Sequence, residues 1–94
     1  MFTIEITSNN EILLVGRLDA SQTETAKEVL DKVTDSAIVN FQNLEYISSA
    51  GLGVLFATQR RLRESGKGLK LRNMNKHIRD VFRFARFDLI FEIE

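Results

Sequence analysis

The chain has 94 residues, 44% hydrophobic and 28% charged, with thirteen basic and thirteen acidic side chains that cancel to a formal net charge of zero. That is the make-up of one globular domain, spanning 1–94, without the low hydrophobicity and high net charge of a disordered chain. Cysteine is absent and His77 is the only histidine, which excludes disulfides and thiolate metal sites and makes a zinc centre or a His-based catalytic dyad unexpected.

Phe2, Ile4 and Ile6 alternate with polar residues, the period of a half-buried strand. Ser8-Asn9-Asn10 is turn chemistry. Ile12 to Leu18 reads as a second strand antiparallel to the first, and Gly16 inside it marks a bulge or a close backbone approach. Ser21 and Glu24 have capping-box spacing at the start of helix one, which carries Ala26, Val29, Leu30 and Val33 at helical intervals. Ala37 to Phe41 has the apolar character of a buried parallel strand. Helix two is expected from about Ser49 to Ser65, with Leu52, Leu55, Phe56 and Leu62 inward and Gly66 and Gly68 ending it. Leu69 and Leu71 alternate with cations in a fourth strand. Asn75 caps helix three, whose Ile78, Val81, Phe82 and Ala85 share one face while Phe84 lies about 110° from its centre. Leu89 to Ile93 is the last strand. The order β-β-α-β-α-β-α-β, with helices of about 12–17 residues, predicts an α/β fold: a mixed, mostly parallel sheet with an N-terminal antiparallel strand and three major helices.

No apolar run reaches the ~20 residues that cross a bilayer, and Met1 to Glu5 lacks a basic signal-peptide start, so a cytoplasmic protein is expected. Charge is distributed unevenly. Before Arg60 three basic residues (Arg17, Lys27, Lys32) face eight acidic ones; from Arg60 to Arg86 ten basic residues face only Glu64 and Asp80. Such asymmetry can mark an anionic partner. Its spread over two helices and a strand, without the aromatic interleaving of an RNA-binding sheet, reads instead as solvated surface, so neither nucleic acid nor a membrane is an expected partner. Arg60, Arg61 and Arg63 are read as a solvated helix face, His77 as surface polar, and Asp19 as a helix-entry aspartate.

Asn43 to Gly53 resists so plain a reading. It is read as the loop into helix two, with Ser48, Ser49, Ala50, Gly51 and Gly53 crowded at the helix entry. Glycine there costs about 0.5–1 kcal/mol relative to alanine, which points to close approach by another group. The first turn also offers free backbone N–H groups and the positive end of the helix dipole. A nucleotide-binding loop would need the lysine or the three-glycine spacing that is missing. A serine nucleophile would need a G-x-S-x-G elbow and a placed histidine. A modified serine on a small-residue docking surface and a plain N-cap serine both remain open.

Ile47-Ser48-Ser49-Ala50-Gly51-Leu52-Gly53, following Asn43-Leu44-Glu45-Tyr46, resembles the signature of STAS domains, the sulfate transporter and anti-sigma factor antagonist family. Gly16-Arg17-Leu18-Asp19-Ala20 resembles the family's segment before helix one, and Val81 to Phe91 resembles its hydrophobic C-terminal end. The likeness covers essentially the whole chain. It implies a binding protein, not an enzyme, with no cofactor: an anti-sigma factor antagonist. Ser49 matches the family's phosphoacceptor, with Ser48 a weaker second, and Asp19, Ser48, Ser49, Ala50, Gly51 and Gly53 form the expected partner surface. The implied partners are an anti-sigma factor that is also a serine kinase, and a phosphatase; the expected state is a monomer. Ser48 stands where the family usually carries an aspartate, Asn40 where many members carry another, and Arg86 where a turn glycine is common. These departures also suit a constitutive STAS subunit that binds the ATPase of an ABC transporter.

Overall fold

The alternation of Phe2, Ile4 and Ile6 becomes strand β1 (Phe2–Ile6), paired antiparallel with β2 (Glu11–Leu18) in the register Phe2↔Gly16, Ile4↔Leu14, Ile6↔Ile12. The computed structural model describes residues 1–7 and 9–94; Ser8 of the expected turn lies outside the described residues, while Asn10 in that turn takes the left-handed φ of 57°. The other elements follow in chain order as α1 (Thr23–Leu30), β3 (Ala37–Ile47), α2 (Ser49–Arg63), β4 (Leu69–Arg72), α3 (Lys76–Phe84) and β5 (Glu92–Ile93). The sheet order is β1-β2-β3-β4-β5, and every pair after the first is parallel.

Strict sequential order has a geometric consequence. Each crossover moves one strand along in the same direction, and right-handed connections then put every helix on the same face. One parity of each strand is therefore buried: Ile12, Leu14 and Leu18 on β2, Ala37, Val39 and Phe41 on β3, Leu69 and Leu71 on β4. The opposite parity carries Glu11, Leu13, Val15 and Arg17, none of them buried. Above the covered face, α2 bridges its neighbours. Phe56 of α2 stacks on Phe87 at 5.5 Å, Phe87 meets Phe82 of α3, and Phe82 meets Phe41 of β3 edge-on at 5.7 Å. Gln59 of α2, also buried, donates to the Ile90 carbonyl and accepts from the Leu69 amide.

Several boundaries differ from those expected. β3 runs to Ile47, so Asn43 to Ile47 is strand and not loop. Its register with β2 jumps from Leu13↔Asn40 to Val15↔Asn43 and from Gly16↔Leu44 to Arg17↔Tyr46. Two extra residues on β3 thus break the period of two that would reveal it. Ser21 does not cap α1: Asp19 accepts from the Ser21 amide (3.0 Å) and hydroxyl (2.6 Å), capping a 3-10 turn at Ala20–Gln22, and α1 begins only after it. Gly16, at φ 94°, permits the expected close approach: a Cβ there would collide with the Met1 carbonyl. α1 and α3 have 8 and 9 residues, shorter than expected. The last strand shrinks to two residues because Phe87–Leu89 forms a 3-10 turn that sends Phe87 and Phe91 toward Phe82.

Arg61 is not a solvated residue. It is half-buried, and its guanidinium donates to the Leu30 and Val33 carbonyls, both at 2.9 Å, so it closes the C-terminal end of α1 from the neighbouring helix. Arg63 reaches the Ile90 carbonyl at 3.3 Å. Phe84 is 90% exposed, in keeping with its place off the apolar face.

Candidate functional site

The C-terminal ends of β2 and β3 position the start of α2. The Ser48 amide donates to the Leu18 carbonyl at 2.9 Å, which ties the residue that follows β3 to the end of β2. Ser48 itself is the N-cap: its backbone is extended, and its hydroxyl accepts from the Gly51 amide at 3.2 Å. Ser49, the expected acceptor, is therefore the first helical residue and is exposed. The Gly51 and Leu52 amides are bonded to Ser48, whereas Ser49 and Ala50 sit in the first turn, where helix amides have no intrahelical acceptor.

The two glycines of the motif have different surroundings. Gly51 is buried, and a Cβ there would lie 2.8 Å from Leu18 Cγ, 2.9 Å from Ile47 Cγ1 and 3.0 Å from the Leu18 carbonyl oxygen. The close approach that Gly51 was expected to offer a partner is thus made internally, to β2 and β3. Gly53 is exposed, and among the described residues nothing beyond its own helix backbone and chain neighbours lies within 4 Å of a Cβ placed on it. Ala50 is exposed beside it, and Leu52 turns inward.

Asp19 lies at the end of β2, and the 3-10 turn that it caps packs against α2. Its bond from the Ser21 hydroxyl, supported by the nearby Arg17 charge, holds its carboxyl below the ordinary carboxylate value. Tyr46, half-exposed, receives the Arg17 guanidinium 4.4 Å from its ring centre, while Ile47 is buried.

The structure thus gathers Asp19, Ser48, Ser49, Ala50 and Gly53 at one end of the sheet and takes Gly51 into the core. It also adds residues that sequence reasoning missed. A groove of about 470 Å³ runs between α1 and α2, lined by Thr23, Lys27, Ala50, Gly53, Ala57 and Arg61 among others. The spacing of Ala50, Gly53 and Ala57, three small residues along one helix face, is the signal that could have revealed it. Chemically this end offers a free hydroxyl at the positive end of a helix, beside a shallow, small-residue surface.

The profile of the family described as "Mlab, STAS domain" matches residues 3–92. Over 72 residues the chain is 35% identical to BtrV of Bordetella bronchiseptica, named a candidate anti-sigma factor antagonist. That stretch is 77% of this chain and 61% of the relative, so the match spans about three fifths of its length. Among solved structures, a candidate anti-sigma factor antagonist from Thermotoga maritima shares the fold with a TM-score of 0.79 at 22% identity, over 99% of this chain and 85% of that one. The anti-sigma factor antagonist SpoIIAA in its unphosphorylated form gives 0.73 at 22% identity, over 100% and 87%. The phosphorylated form of SpoIIAA from Bacillus gives 0.71 at 22% identity, over 100% and 91%. With a family profile matched along almost its whole length, the chain belongs to the STAS domain family.

Proposed function

We propose that this STAS domain is an anti-sigma factor antagonist switched by phosphorylation of Ser49. One observation carries the reading: the two serines of the motif have separate places, Ser48 capping α2 and Ser49 exposed at the first helical position. The relative that is 35% identical bears the antagonist's name, and this supports the same reading. In its unphosphorylated form the protein binds an anti-sigma factor that is also a serine kinase, through Asp19, Ser48, Ser49, Ala50 and Gly53, and so frees a sigma factor. A phosphatase resets the modified form. It works as a cytoplasmic monomer and as a binding protein rather than an enzyme.

Phosphate on Ser49 adds about −1.5 to −2 charges and three acceptor oxygens, which the free amides of the first turn can bind. The fold therefore has no need to rearrange. A docked partner surface, partly desolvated against Ala50 and Gly53, meets the full change in charge. A loss of about 3 kcal/mol in binding is more than a hundredfold in affinity, enough for a switch.

A second reading, a constitutive subunit bound to a transporter ATPase, is favoured by Ser48, which replaces the family's usual acidic residue before the acceptor. One experiment separates the two. Wild-type protein and Ser49→Asp are immobilised, partners are drawn from lysate of the source cell, and the captured proteins and the state of Ser49 are read by mass spectrometry. The proposed switch predicts an ATPase of the histidine-kinase type held by wild type and lost with Ser49→Asp, together with a Ser49 phosphopeptide. An ABC-type ATPase held equally by both refutes the switch.

A further inference from the structure

The structure accounts for most of the basic run from Arg60 to Arg86. Lys67 pairs with Asp35, Lys70 with Glu92 and Glu94, Arg72 with Glu94, and Lys76 with Asp80. Arg61, Arg63 and Arg79 donate to backbone carbonyls, and the Arg60 guanidinium lies 5.9 Å from the Phe56 ring centre. Arg83 and Arg86 are left without an ion-pair partner among the described residues, and they flank Phe84 in the sequence.

Phe84 is 90% exposed and Leu89 76%, the largest exposures among big apolar side chains after Met1. Neither belongs to a loose segment. Ile78 and Phe82 anchor α3 in the core, and Arg86 at φ 63° reverses the chain so that Phe87 packs on Phe56 and Phe91. The reversal leaves Phe84 and Leu89 exposed beside this packed aromatic cluster. Helix α3 runs back from the end of β4, so this turn lies at the end of the sheet opposite Ser49.

We propose that this turn, with Phe84 and Leu89 as apolar prongs and Arg83 and Arg86 as cations, docks on an anionic lipid surface. With the Lys76–Asp80 pair set aside, segment 76–90 presents Arg79, Arg83 and Arg86 against Asp88 alone. Two prongs fall short of the roughly 1,000 Å² of a stable protein interface. They suit reversible insertion at headgroup depth, where arginine stems lie along the acyl boundary and their charges meet anionic headgroups. A nucleic acid could stack a base on Phe84 but would have no use for Leu89. Surface docking requires no spanning segment, and no helix among the described residues is long and apolar enough to cross a membrane. The inference stands apart from the Ser49 switch, and the two sites can be occupied together.

The test is co-sedimentation of the full chain with vesicles of phosphatidylcholine alone and of phosphatidylcholine mixed with phosphatidylglycerol, at low and physiological salt. The expected result is about tenfold or greater preference for the anionic vesicles, reduced by salt. Phe84→Ala/Leu89→Ala should lower that binding by about tenfold or more, and Arg83→Gln should lower it while leaving thermal unfolding near wild type. Failure of wild type to bind anionic vesicles at low salt overturns the proposal. So does equal binding by the double variant, which would mean adsorption by charge alone. Tighter retention on single-stranded DNA or polyglutamate than on the vesicles overturns it as well.

Discussion

Gly51→Ala adds one methyl group to a site with no room for it. The new carbon would lie 2.8 Å from Leu18 Cγ, 2.9 Å from Ile47 Cγ1 and 3.0 Å from the Leu18 carbonyl oxygen. Leu18 and Ile47 are 0% and 4% exposed, so neither side chain can turn away. The carbonyl is fixed too, because it accepts from the Ser48 amide at 2.9 Å. Relief must come from moving the first turn of α2 off the sheet. Overpacking of this kind costs about 1–3 kcal/mol, and alanine's better helix propensity returns up to about 1 kcal/mol. The net expectation is a loss of about 1–2 kcal/mol, or a fall of roughly 5–15 °C in melting temperature for a domain of this size. Gly53→Ala is the matched control: among the described residues nothing beyond its own helix backbone and chain neighbours lies within 4 Å of its added carbon, so only the propensity gain of about 0.5–1 kcal/mol operates. Urea unfolding of both variants against wild type measures the difference, expected to be about 1.5–3 kcal/mol. Equal stability of the two variants would refute the internal-packing account of Gly51. If Gly53 is bare for a partner's sake, Gly53→Ala should also weaken partner capture while raising stability, the trade expected of a functional position.

The two serines should separate in the same assay. Ser48→Ala removes the cap on Gly51 and should cost about 1 kcal/mol, while Ser49→Ala should stay within about 0.5 kcal/mol of wild type; the reverse order would overturn the assignment. Arg86 holds φ at 63° without being glycine. Relief of left-handed strain, less glycine's added freedom when unfolded, should make Arg86→Gly about 0.5–1 kcal/mol more stable by calorimetry. Stability should also fall in acid. Asp19 is held below its ordinary 3.8 by the Ser21 hydroxyl, Asp35 by the Ser36 amide, Asp80 by Lys76, and Glu94 below its ordinary 4.5 by Arg72. A lowered pKa means that the unfolded chain binds the proton first. The contribution is therefore fully present above about pH 4.5 and is lost as pH falls through the lowered values. Urea midpoints flat from about pH 7 to 5 and declining below about pH 4 are expected, with the decline reduced by salt because none of the four groups is buried; midpoints constant down to about pH 3 would refute it.

How much of this was legible depended on whether one period held along an element. β1 and β4 keep a clean alternation, and α2 and α3 keep a helical one, so their cores can be named from sequence; β2 is apolar from Ile12 to Val15, and only the structure shows that Ile12 and Leu14 face the core. β3 could be read only to Phe41, because two extra residues before Ile47 shift the register and disguise strand as loop. The capping spacing of Ser21 misplaces the start of α1, because Asp19 takes the Ser21 amide and hydroxyl for its own turn. Arg61 looked like solvent-facing charge because its acceptors, Leu30 and Val33, lie about thirty residues away. At the site, the crowding of small residues was legible but its cause was not. Gly51 and Gly53 look alike in sequence, and only the approach of Leu18 and Ile47 distinguishes them.

The departures from the family's residues are locally coherent, and they bear on the proposed switch. Asn40 donates from its amide to the Glu11 carboxylate at 2.8 Å, and its oxygen accepts from the Gln42 amide and from Asn73. An aspartate at 40 would instead set two carboxylates at hydrogen-bonding distance, so Asn40 and Glu11 fit as a pair across β3 and β2. Ser48 keeps what an aspartate would supply to the fold, since both residues are good N-caps. What it removes is one negative charge beside Ser49. Phosphorylation then takes the cap of α2 from neutral to about −2, rather than from −1 to about −3. The step in charge is the same, but the phosphate no longer competes with a carboxylate for the amides of the first turn. Within the proposed switch, Ser48 thus leaves the phosphorylated form better accommodated and the unphosphorylated surface less polar, while the kinase loses an acidic feature it could read.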